Sequence, residues 1–364
     1  MSTKRSDTGK TVRRLGAAVL AAAAVTVAAG GWAADADLPA VHMTHRAMGA
    51  EFDFVLVGDS PQATSEQLTY AGEAAFEAID RLERRISNWI EESPVSVMNR
   101  RASEGPVVVD PDLFGLMETS RRFYTDTDGV FDVTVGPLLA LWGFYQKEGV
   151  LPTPEQLAAA RESVGMNRVE LDPAARSVRF TRPGMRVDFG GIGNGLALDR
   201  AAEILRQNGV SRARLHSSTS TIVVMGTPPA SKTWGVEITW PFEDPEKKHP
   251  PVAEVEIAPG ESLSTSGASE RYVEIDGKRY AHIFDPRTGR PVDTNVRSAT
   301  AIAPTGTESD ALSTAFFILG EDGARAYCAK HPAVRALLVV EREGRLDIVR
   351  INFPDGGKNE EGTP

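Results

Sequence analysis

The spacing of apolar residues divides most of the chain into strands and helices. Phe52, Phe54 and Leu56 alternate with polar neighbours, so Met43–Val57 is predicted to be a strand or one arm of a hairpin. Over Ser65–Ile86 apolar residues recur every three or four positions, which is the spacing of a long amphipathic helix. Ser87–Asn99, which lacks this periodicity, is predicted to be a loop.

The rest of the chain alternates between the two kinds of element. Helices are predicted at Asp112–Thr127, Pro152–Val164 with Thr153 as its N-cap, Leu196–Asn208, Glu308–Leu319 and Asp322–His331. Strands are predicted at Ser177–Phe189, Ala213–Met225, Trp234–Ile238, Val252–Ile257, Tyr272–Ile275, Tyr280–Phe284 and Ser298–Ile302, with a closing pair after the last helix. No repeat and no interdomain linker is visible, so the fold class is predicted to be α+β (mixed α/β) in one domain, residues 40–350.

The first 34 residues have a different composition. Basic residues from Lys4 to Arg14 precede the apolar run Leu15–Gly30, and small residues follow, which is the layout of a secretory signal peptide. A short membrane anchor is the alternative, although about twenty apolar residues are usually needed to span a bilayer. We predict that residues 1–34 are a signal peptide, that the protein is exported to a periplasmic or other extracytoplasmic compartment, and that residues 355–364 are disordered.

Composition and charge narrow the possible partners. Cys328 is the only cysteine, which excludes an intramolecular disulfide and an N-terminal lipid anchor on cysteine, so no lipoprotein is expected. The net charge is −10, and residues 1–34 carry +4, which leaves −14 for the remainder. This balance argues against a nucleic-acid partner. An anionic ligand would need a metal ion or local backbone donors to bind.

Three segments carry candidate chemistry. The glycine-rich turn between Asp188 and Leu196 allows a ligand to approach the backbone closely, although such turns also serve packing. Its spacing matches neither the dinucleotide-binding fingerprint nor a P-loop. Asp310 and Thr314 share one face of a predicted helix and offer two hard oxygen ligands to Mg²⁺; the alternative is that Ser309 or Asp310 caps the helix.

His282 lies in the third segment, Ser264–Gly289, which combines hydroxyls, a titratable base and the turn that begins at Asp285. Such residues suit a site for a phosphorylated ligand, with His282 as a base near a pyrophosphate. A buried structural histidine on a strand, with Tyr280 and Phe284 on the same side, is the alternative reading.

Taken together, these segments resemble the ApbE family, the flavin transferases that move FMN from FAD onto a protein. The resemblance runs from about Met43 to Gly344 with its motifs in family order: Met48-Gly49, Ser87-Asn88-Trp89 followed by Ser93 and Asn99, Gly129–Pro137, Leu141-Trp142-Gly143-Phe144, the turn after Asp188, Thr265-Ser266-Gly267, His282–Gly289 and Asp310–Thr314. It implies a single ApbE-like, T-fold-related domain with mixed sheets flanked by helices.

The resemblance also assigns roles residue by residue. The residues that fall where the family contacts FAD are Met48, Trp89, Val130, Phe131, Asp132, Asp188, Asn194 and Phe284. The positions of the family's Mg²⁺ ligands are Asp310, Thr314 and the backbone carbonyl of Gly191. His282 falls on the histidine proposed to assist catalysis, with Asp285 as the residue that would orient it.

The implied reaction is Mg²⁺-dependent transfer of FMN from FAD to a Ser or Thr hydroxyl of an exported acceptor flavoprotein, with release of AMP. Acceptors of the family include subunits of membrane-bound redox complexes. Two alternatives stay open: a metal-dependent FAD pyrophosphatase that uses water, and an FAD-binding or assembly protein without turnover. This chain departs from the family pattern at Ala50, at Asn194 and at Thr219-Ser220. The side chains of Thr219 and Ser220 would narrow a place at which the backbone normally makes a close approach.

Overall fold

The computed structural model describes residues 25–26, 38–146, 148–217, 220–228, 231–242, 249–268 and 272–354. Apart from Val25–Thr26, the predicted signal peptide lies outside these ranges, and so does the predicted disordered tail, residues 355–364. Both therefore stay predictions.

An antiparallel sheet forms the framework of the described chain. Its strands, in order across the sheet, are Arg345–Ile351 (β18), Arg335–Arg342 (β17), Val296–Ala303 (β16), Ser262–Gly267 (β11), Thr221–Met225 (β8), Arg212–Ser217 (β7), Ala50–Val57 (β3) and Ala40–Ala47 (β2). The alternation predicted from the sequence is present: Phe52, Phe54 and Leu56 of β3 are fully buried, whereas Glu51 on the opposite face is exposed.

Helices cover one face of this sheet. The helices are Ser65–Ile86 (α1), Pro94–Arg101 (α2), Pro111–Asp126 (α3), Gly136–Leu141 (α4), Pro154–Arg161 (α5), Gly193–Gln207 (α6) and Gly306–Lys330 (α7), with a short 3₁₀ helix at Met166–Arg168. Helices α1 and α6 pack on each other, α6 packs on α7, and all three contact the sheet. The main hydrophobic core fills the space between them.

A second, smaller sheet lies against the opposite face. It consists of Val25–Thr26 (β1), Trp234–Ile238 (β9) and Ala253–Ile257 (β10), and the apolar side chains of β9 and β10 pack with those of β8, β11, β16, β17 and β18. The remaining strands are Val107–Val108 (β4), Val169–Asp172 (β5), Ser177–Phe180 (β6), Tyr272–Ile275 (β12), Lys278–Ala281 (β13), Phe284–Asp285 (β14) and Arg290–Pro291 (β15). In the ranges given above, none of the helices is long and apolar enough to cross a bilayer.

The predicted mixed α/β class is confirmed, and helix caps account for several of its boundaries. Thr64 accepts a hydrogen bond from the Gln67 N–H (3.2 Å), and the Gln67 side chain accepts one from the Thr64 N–H (3.1 Å). This reciprocal capping box explains why α1 begins at Ser65. Thr153, the predicted cap of α5, forms the same arrangement.

Several predicted elements differ in the structure, among them the predicted strand Tyr280–Phe284, which is interrupted between Lys278–Ala281 (β13) and Phe284–Asp285 (β14). The predicted strand Ala213–Met225 is a hairpin of β7 and β8. The predicted strand Ser177–Phe189 ends at Phe180, because the chain turns at Gly184, whose φ is +77°. The predicted loop Ser87–Asn99 contains the start of α2, for which Ser93 is the N-cap and Pro94 the first residue.

Helix α7 begins earlier than predicted. Thr305 is its N-cap and accepts a hydrogen bond from the Glu308 N–H (3.2 Å), so the alternative in which Ser309 or Asp310 caps the helix is wrong. Asp310 therefore lies inside the first turns of the helix. Gly320 has non-helical angles (φ 70°, ψ −168°) and divides α7 into the two helical segments that the sequence predicts.

Candidate active site

The first turns of α6 and α7 cross at close range. The Gly195 N–H donates to Asp310 Oδ2 at 2.9 Å, and a Cβ added to Gly195 would lie 2.0 Å from the Gly306 oxygen. Only glycine permits this approach. The Asp199 carboxylate on α6 accepts hydrogen bonds from the backbone N–H groups of Gly306 (2.7 Å) and Thr307 (2.8 Å), so one helix caps the other.

Asp310 is a buried carboxylate at this crossing, with 5% of its surface exposed. Burial and, after it, the like charge of Asp199 raise its pKa to about 7, against the lowering effect of the Gly195 and Asn194 backbones and the Thr221 side chain. Within the described ranges Asp310 forms no ion pair with a basic side chain. A bound cation would compensate its charge.

Thr314 and Gly191 complete the predicted metal site. Thr314 follows Asp310 by four residues on α7, and a Cβ added to Gly191 would lie 3.5 Å from Thr314 Oγ1. The part of the chain that the structure describes holds no cluster of three or more His, Cys, Asp or Glu side chains that could bind a metal. The oxygen donors brought together here are a carboxylate, a hydroxyl and a backbone segment, which fit Mg²⁺.

The segment Val130–Asp132 lies beside this site. Val130 and Phe131 are buried, and a Cβ on Gly191 would lie 3.5 Å from the Phe131 ring. Asp132 Oδ1 accepts hydrogen bonds from the N–H (2.8 Å) and the hydroxyl (2.6 Å) of Thr134. Asp132 Oδ2 is buried with no hydrogen-bond partner in the described residues, and burial raises the pKa of this carboxyl to about 6. An incoming polar ligand can satisfy that atom.

A polar network fixes the turn that begins at Asp188. Its Oδ2 accepts hydrogen bonds from the Tyr145 hydroxyl (2.8 Å) and from the Asn88 amide (3.2 Å). Trp89 is 68% exposed, and its ring meets the edge of Tyr145 at 5.8 Å between centroids. The Arg186 guanidinium lies 4.1 Å from the Tyr145 ring centre. The exposed indole of Trp89, held beside this network, is suited to stacking on a flat ring.

Met48 approaches the same region from the β2–β3 hairpin. Met48 (φ 54°) and Gly49 (φ 74°) form its two-residue turn, in which both residues have positive φ. The Met48 methyl would lie 3.2 Å from a Cβ on Gly193, at the start of α6. Asn194 is the next residue of that helix.

His282 and its neighbours form the remaining predicted part of the site. His282 is half-buried in the break between β13 and β14. Asp285 pairs with Arg287 at 2.8 Å, and none of the described contacts of Asp285 goes to His282. Phe284 is 4% exposed and meets the edge of Phe144 in an apolar cluster. The base role of His282, its orientation by Asp285 and the contact of Phe284 with FAD stay predictions.

Sequence reasoning missed the parts played by Tyr145 and Thr221. Tyr145 directly follows the Leu141–Phe144 motif, which is the signal that could have drawn attention to it. Burial and the Asp188 carboxylate raise the pKa of Tyr145, so its hydroxyl remains a hydrogen-bond donor. Thr219 and Ser220 are the residues at which this chain departs from the family pattern. Ser220 is buried, whereas Thr219 lies outside the described residues.

The sequence model of the ApbE family matches residues 48–338. The chain belongs to the ApbE family. The curated relatives include the FAD:protein FMN transferase of Klebsiella pneumoniae (strain 342), 32% identical over 287 residues, which cover 78% of this chain and 80% of that protein. The protein of the same name from Escherichia coli (strain K12) is 32% identical over 270 residues, 73% of this chain and 75% of that one.

Solved structures of ApbE proteins share this fold. The ApbE protein of Thermotoga maritima aligns with a TM-score of 0.74 and 29% identity over 89% of this chain and 97% of that one. The apo flavinyl transferase ApbE of Pseudomonas stutzeri aligns with a TM-score of 0.73 and 25% identity over 86% and 95%. The predicted ApbE family, single ApbE-like fold and enzyme class, a flavin transferase, are thereby confirmed.

Proposed function

We propose that this ApbE enzyme transfers FMN from FAD to a Ser or Thr hydroxyl of an acceptor protein and releases AMP in a Mg²⁺-dependent reaction. The observation that carries the proposal is that Thr314 and Gly191 lie beside Asp310. The carboxylate of Asp310 is buried and has no basic partner in the described chain. The names of the curated relatives support the choice of FAD as donor and of a protein as acceptor.

The FAD contacts in this proposal come from several elements. Exposed Trp89 is placed to stack on a ring of the cofactor, with Tyr145 against its edge. The unpartnered Oδ2 of Asp132 is a buried acceptor for a polar group of the ligand. Met48 and Asn194 face the substrate from the hairpin turn and the start of α6, as the family resemblance implies.

The reaction forms one phosphoester bond and breaks one phosphoanhydride bond. The acceptor oxygen attacks the phosphorus on the FMN side, and the bond from that phosphorus to the bridging oxygen breaks, so AMP leaves with that oxygen. His282 takes the acceptor proton as general base. Asp310, Thr314 and the Gly191 carbonyl would hold Mg²⁺, which when bound neutralises the pyrophosphate charge and the charge on the leaving phosphate.

The acceptor and the location belong to the same proposal. An exported flavoprotein with a Ser or Thr flavinylation motif, such as a subunit of a membrane-associated redox complex, would share the compartment that the N-terminal layout of this chain predicts. Amino-terminal sequencing of the protein from a periplasmic fraction checks this: a start near residue 35 supports export and cleavage, and a chain that stays uncleaved in the cytoplasm contradicts them.

The decisive experiment incubates the full chain with FAD and Mg²⁺, with and without an acceptor domain that carries the motif. We expect AMP release and a flavin-labelled acceptor only when both substrates are present, and no labelling of an acceptor whose Ser or Thr is replaced by Ala. AMP released at the same rate without acceptor would instead establish the pyrophosphatase. FAD binding with no AMP in any mixture would establish a binding protein.

Variants separate the roles of the metal ligands and the base. Asp310→Ala should abolish AMP release, and full activity in this variant would refute the metal-centred chemistry. His282→Gln should lower the rate of transfer by about 10²–10⁴-fold, the usual contribution of a general base. Ser262→Ala is the matched control, because Ser262 lies on β11 at the same helix interface but bonds to the Ala303 oxygen (3.0 Å) and to Ser309 Oγ (3.0 Å), and none of its described bonds goes to the side chain of Asp310 or Thr314.

A further inference from the structure

Alternate residues of β11 carry hydroxyls that face α7. Ser264 and Ser266 point toward the helix, whereas Leu263, which precedes Ser264, packs into the second core. Ser313 of α7 lies opposite: its Oγ is 2.9 Å from Ser266 Oγ and 3.4 Å from Ser264 Oγ. Ser264 and Ser313 are fully buried, so these hydroxyls bond to one another rather than to bulk water.

This row of hydroxyls reaches both side chains of the proposed metal site. At one end Ser266 Oγ lies 3.3 Å from Thr314 Oγ1. At the other end Ser264 Oγ lies 3.0 Å from Thr221 Oγ1, and the Thr221 side chain is close enough to the Asp310 carboxylate to lower its pKa. We call the five hydroxyls of Thr314, Ser266, Ser313, Ser264 and Thr221 the hydroxyl chain.

The direction of the protons along the hydroxyl chain follows from its acceptor end. Thr221 faces the Asp310 carboxylate, so its hydroxyl can donate there and accept from Ser264 or from Ser220, whose Oγ lies 3.3 Å away. Ser313 has two acceptors for its single proton, the Asp310 backbone oxygen (2.9 Å) and Ser264, and with that proton used it accepts from Ser266.

Thr314, at the end of the hydroxyl chain beside Gly191, is therefore left as a hydrogen-bond donor to Ser266. If Ser266 gives its proton to Ser313, the Thr314 hydroxyl donates to Ser266 and keeps both lone pairs free. Thr314 is the half-exposed member, beside Gly191, whereas Ser313 is buried. A cation at this position needs lone pairs and not a proton.

We propose that the hydroxyl chain orients Thr314 for the cation and that Thr221, Ser264, Ser266 and Ser313 are positioning residues of the metal site. The inference rests on the proposed function, because it takes Asp310 and Thr314 as the metal ligands. Hydrogen bonds aligned head to tail polarise one another, so a break at any member weakens the orientation at Thr314. Groups that orient metal ligands typically contribute about 10–100-fold to metal affinity.

The test measures Mn²⁺ affinity of the full chain by electron paramagnetic resonance, with and without FAD and without acceptor. Ser266→Ala and Thr221→Val should each weaken Mn²⁺ binding about tenfold or more. Thr221→Ser, which keeps the hydroxyl, should restore it. Ser262→Ala is the matched control: it removes a buried hydroxyl from the same strand, whose partner is Ser309 (3.0 Å) outside the chain, and should leave Mn²⁺ affinity unchanged.

Connectivity is tested by the double variant Ser266→Ala with Thr221→Val. Because either change interrupts the same chain, the double variant should lose less affinity than the product of the two single losses. Unchanged Mn²⁺ affinity in both single variants, a loss equal to that of Ser262→Ala, or fully multiplicative losses would overturn the hydroxyl chain.

The proposed metal site itself is tested separately by Asp310→Ala. Loss of Mn²⁺ binding in this variant, together with unchanged affinity in the chain variants, sinks only the present inference. Mn²⁺ binding that survives Asp310→Ala, or a parent chain that binds no Mn²⁺, would refute the metal site and the inference with it.

Discussion

Replacing Gly195 with alanine tests the crossing of α6 and α7 most directly. The added Cβ would lie 2.0 Å from the Gly306 oxygen and 2.8 Å from Asp310 Cβ. Favourable contacts between heavy atoms begin at about 3.5 Å, so the helices would have to separate by more than 1 Å. The Gly195 N–H to Asp310 Oδ2 hydrogen bond (2.9 Å) would lengthen with them.

The change in the free energy of unfolding caused by Gly195→Ala is the sum of two opposing effects. Alanine in place of glycine inside a helix gains up to about 1 kcal/mol of intrinsic propensity. Overpacking in a close-packed interior costs typically about 1–3 kcal/mol and occasionally more, and here the clash is with backbone, which cannot rotate away. We expect a net loss of about 2 kcal/mol in the free energy of unfolding, measured by urea denaturation monitored through tryptophan fluorescence.

Gly115 supplies the matched control. It lies inside α3, and a Cβ there would meet nothing within 4 Å. Gly115→Ala should therefore raise the free energy of unfolding by about 0.5–1 kcal/mol. A Gly195→Ala protein as stable as the parent, with unchanged Mn²⁺ affinity, would show that the two helices do not cross at this distance and would refute the reasoning.

Further predictions concern a buried acid, a hydroxyl and a cap. Burial raises the pKa of Asp132 to about 6 in the folded state, against 3.8 for an unperturbed aspartate, so its contribution to the free energy of unfolding is full below about pH 4 and falls by about 3 kcal/mol as pH rises through about 6. Asp132→Asn should remove this slope from urea denaturation series at several pH values; an unchanged slope would contradict the assignment. Tyr145→Phe keeps the ring against Trp89 but removes the bond to Asp188, so FAD affinity measured by fluorescence titration should fall about tenfold, and an unchanged Kd would contradict its positioning role. Thr64→Ala deletes the capping box of α1 and should cost about 1 kcal/mol by the same denaturation assay, whereas no loss would mean that the cap is dispensable.

The candidate site was partly predictable because its motifs are continuous in sequence. The glycine turn after Asp188 and the helical segment Asp310–Thr314 can each be recognised as a candidate ligand site from a few consecutive residues. Their meeting was implied by the family resemblance, and the structure supplies its cause: Gly195 permits the close crossing, and Asp199 of α6 caps the first turn of α7. The sequence did not predict that cap, because Asp199 and Gly306 are far apart along the chain.

The hydroxyl chain was not predictable from periodicity. The sequence pattern predicts one long strand over Ala213–Met225, whereas the chain forms a hairpin there and pairs Thr221 with Ser264. Nothing in the local pattern of either strand specifies that register. The same holds for Tyr145, whose role depends on a carboxylate and an indole contributed by two other segments.

The sequence by itself determined the amphipathic helix Ser65–Ile86, the Thr153 cap of α5, the alternation of β3 and the family. These depend on spacings of two to four residues, which fix the faces of helices and strands whatever lies next to them. The tertiary structure alone decided that Asp310 is buried without a basic partner in the described chain and that a row of hydroxyls connects it to Thr314. Burial and hydrogen bonding between distant segments depend on sheet order and helix crossing, which no local spacing encodes.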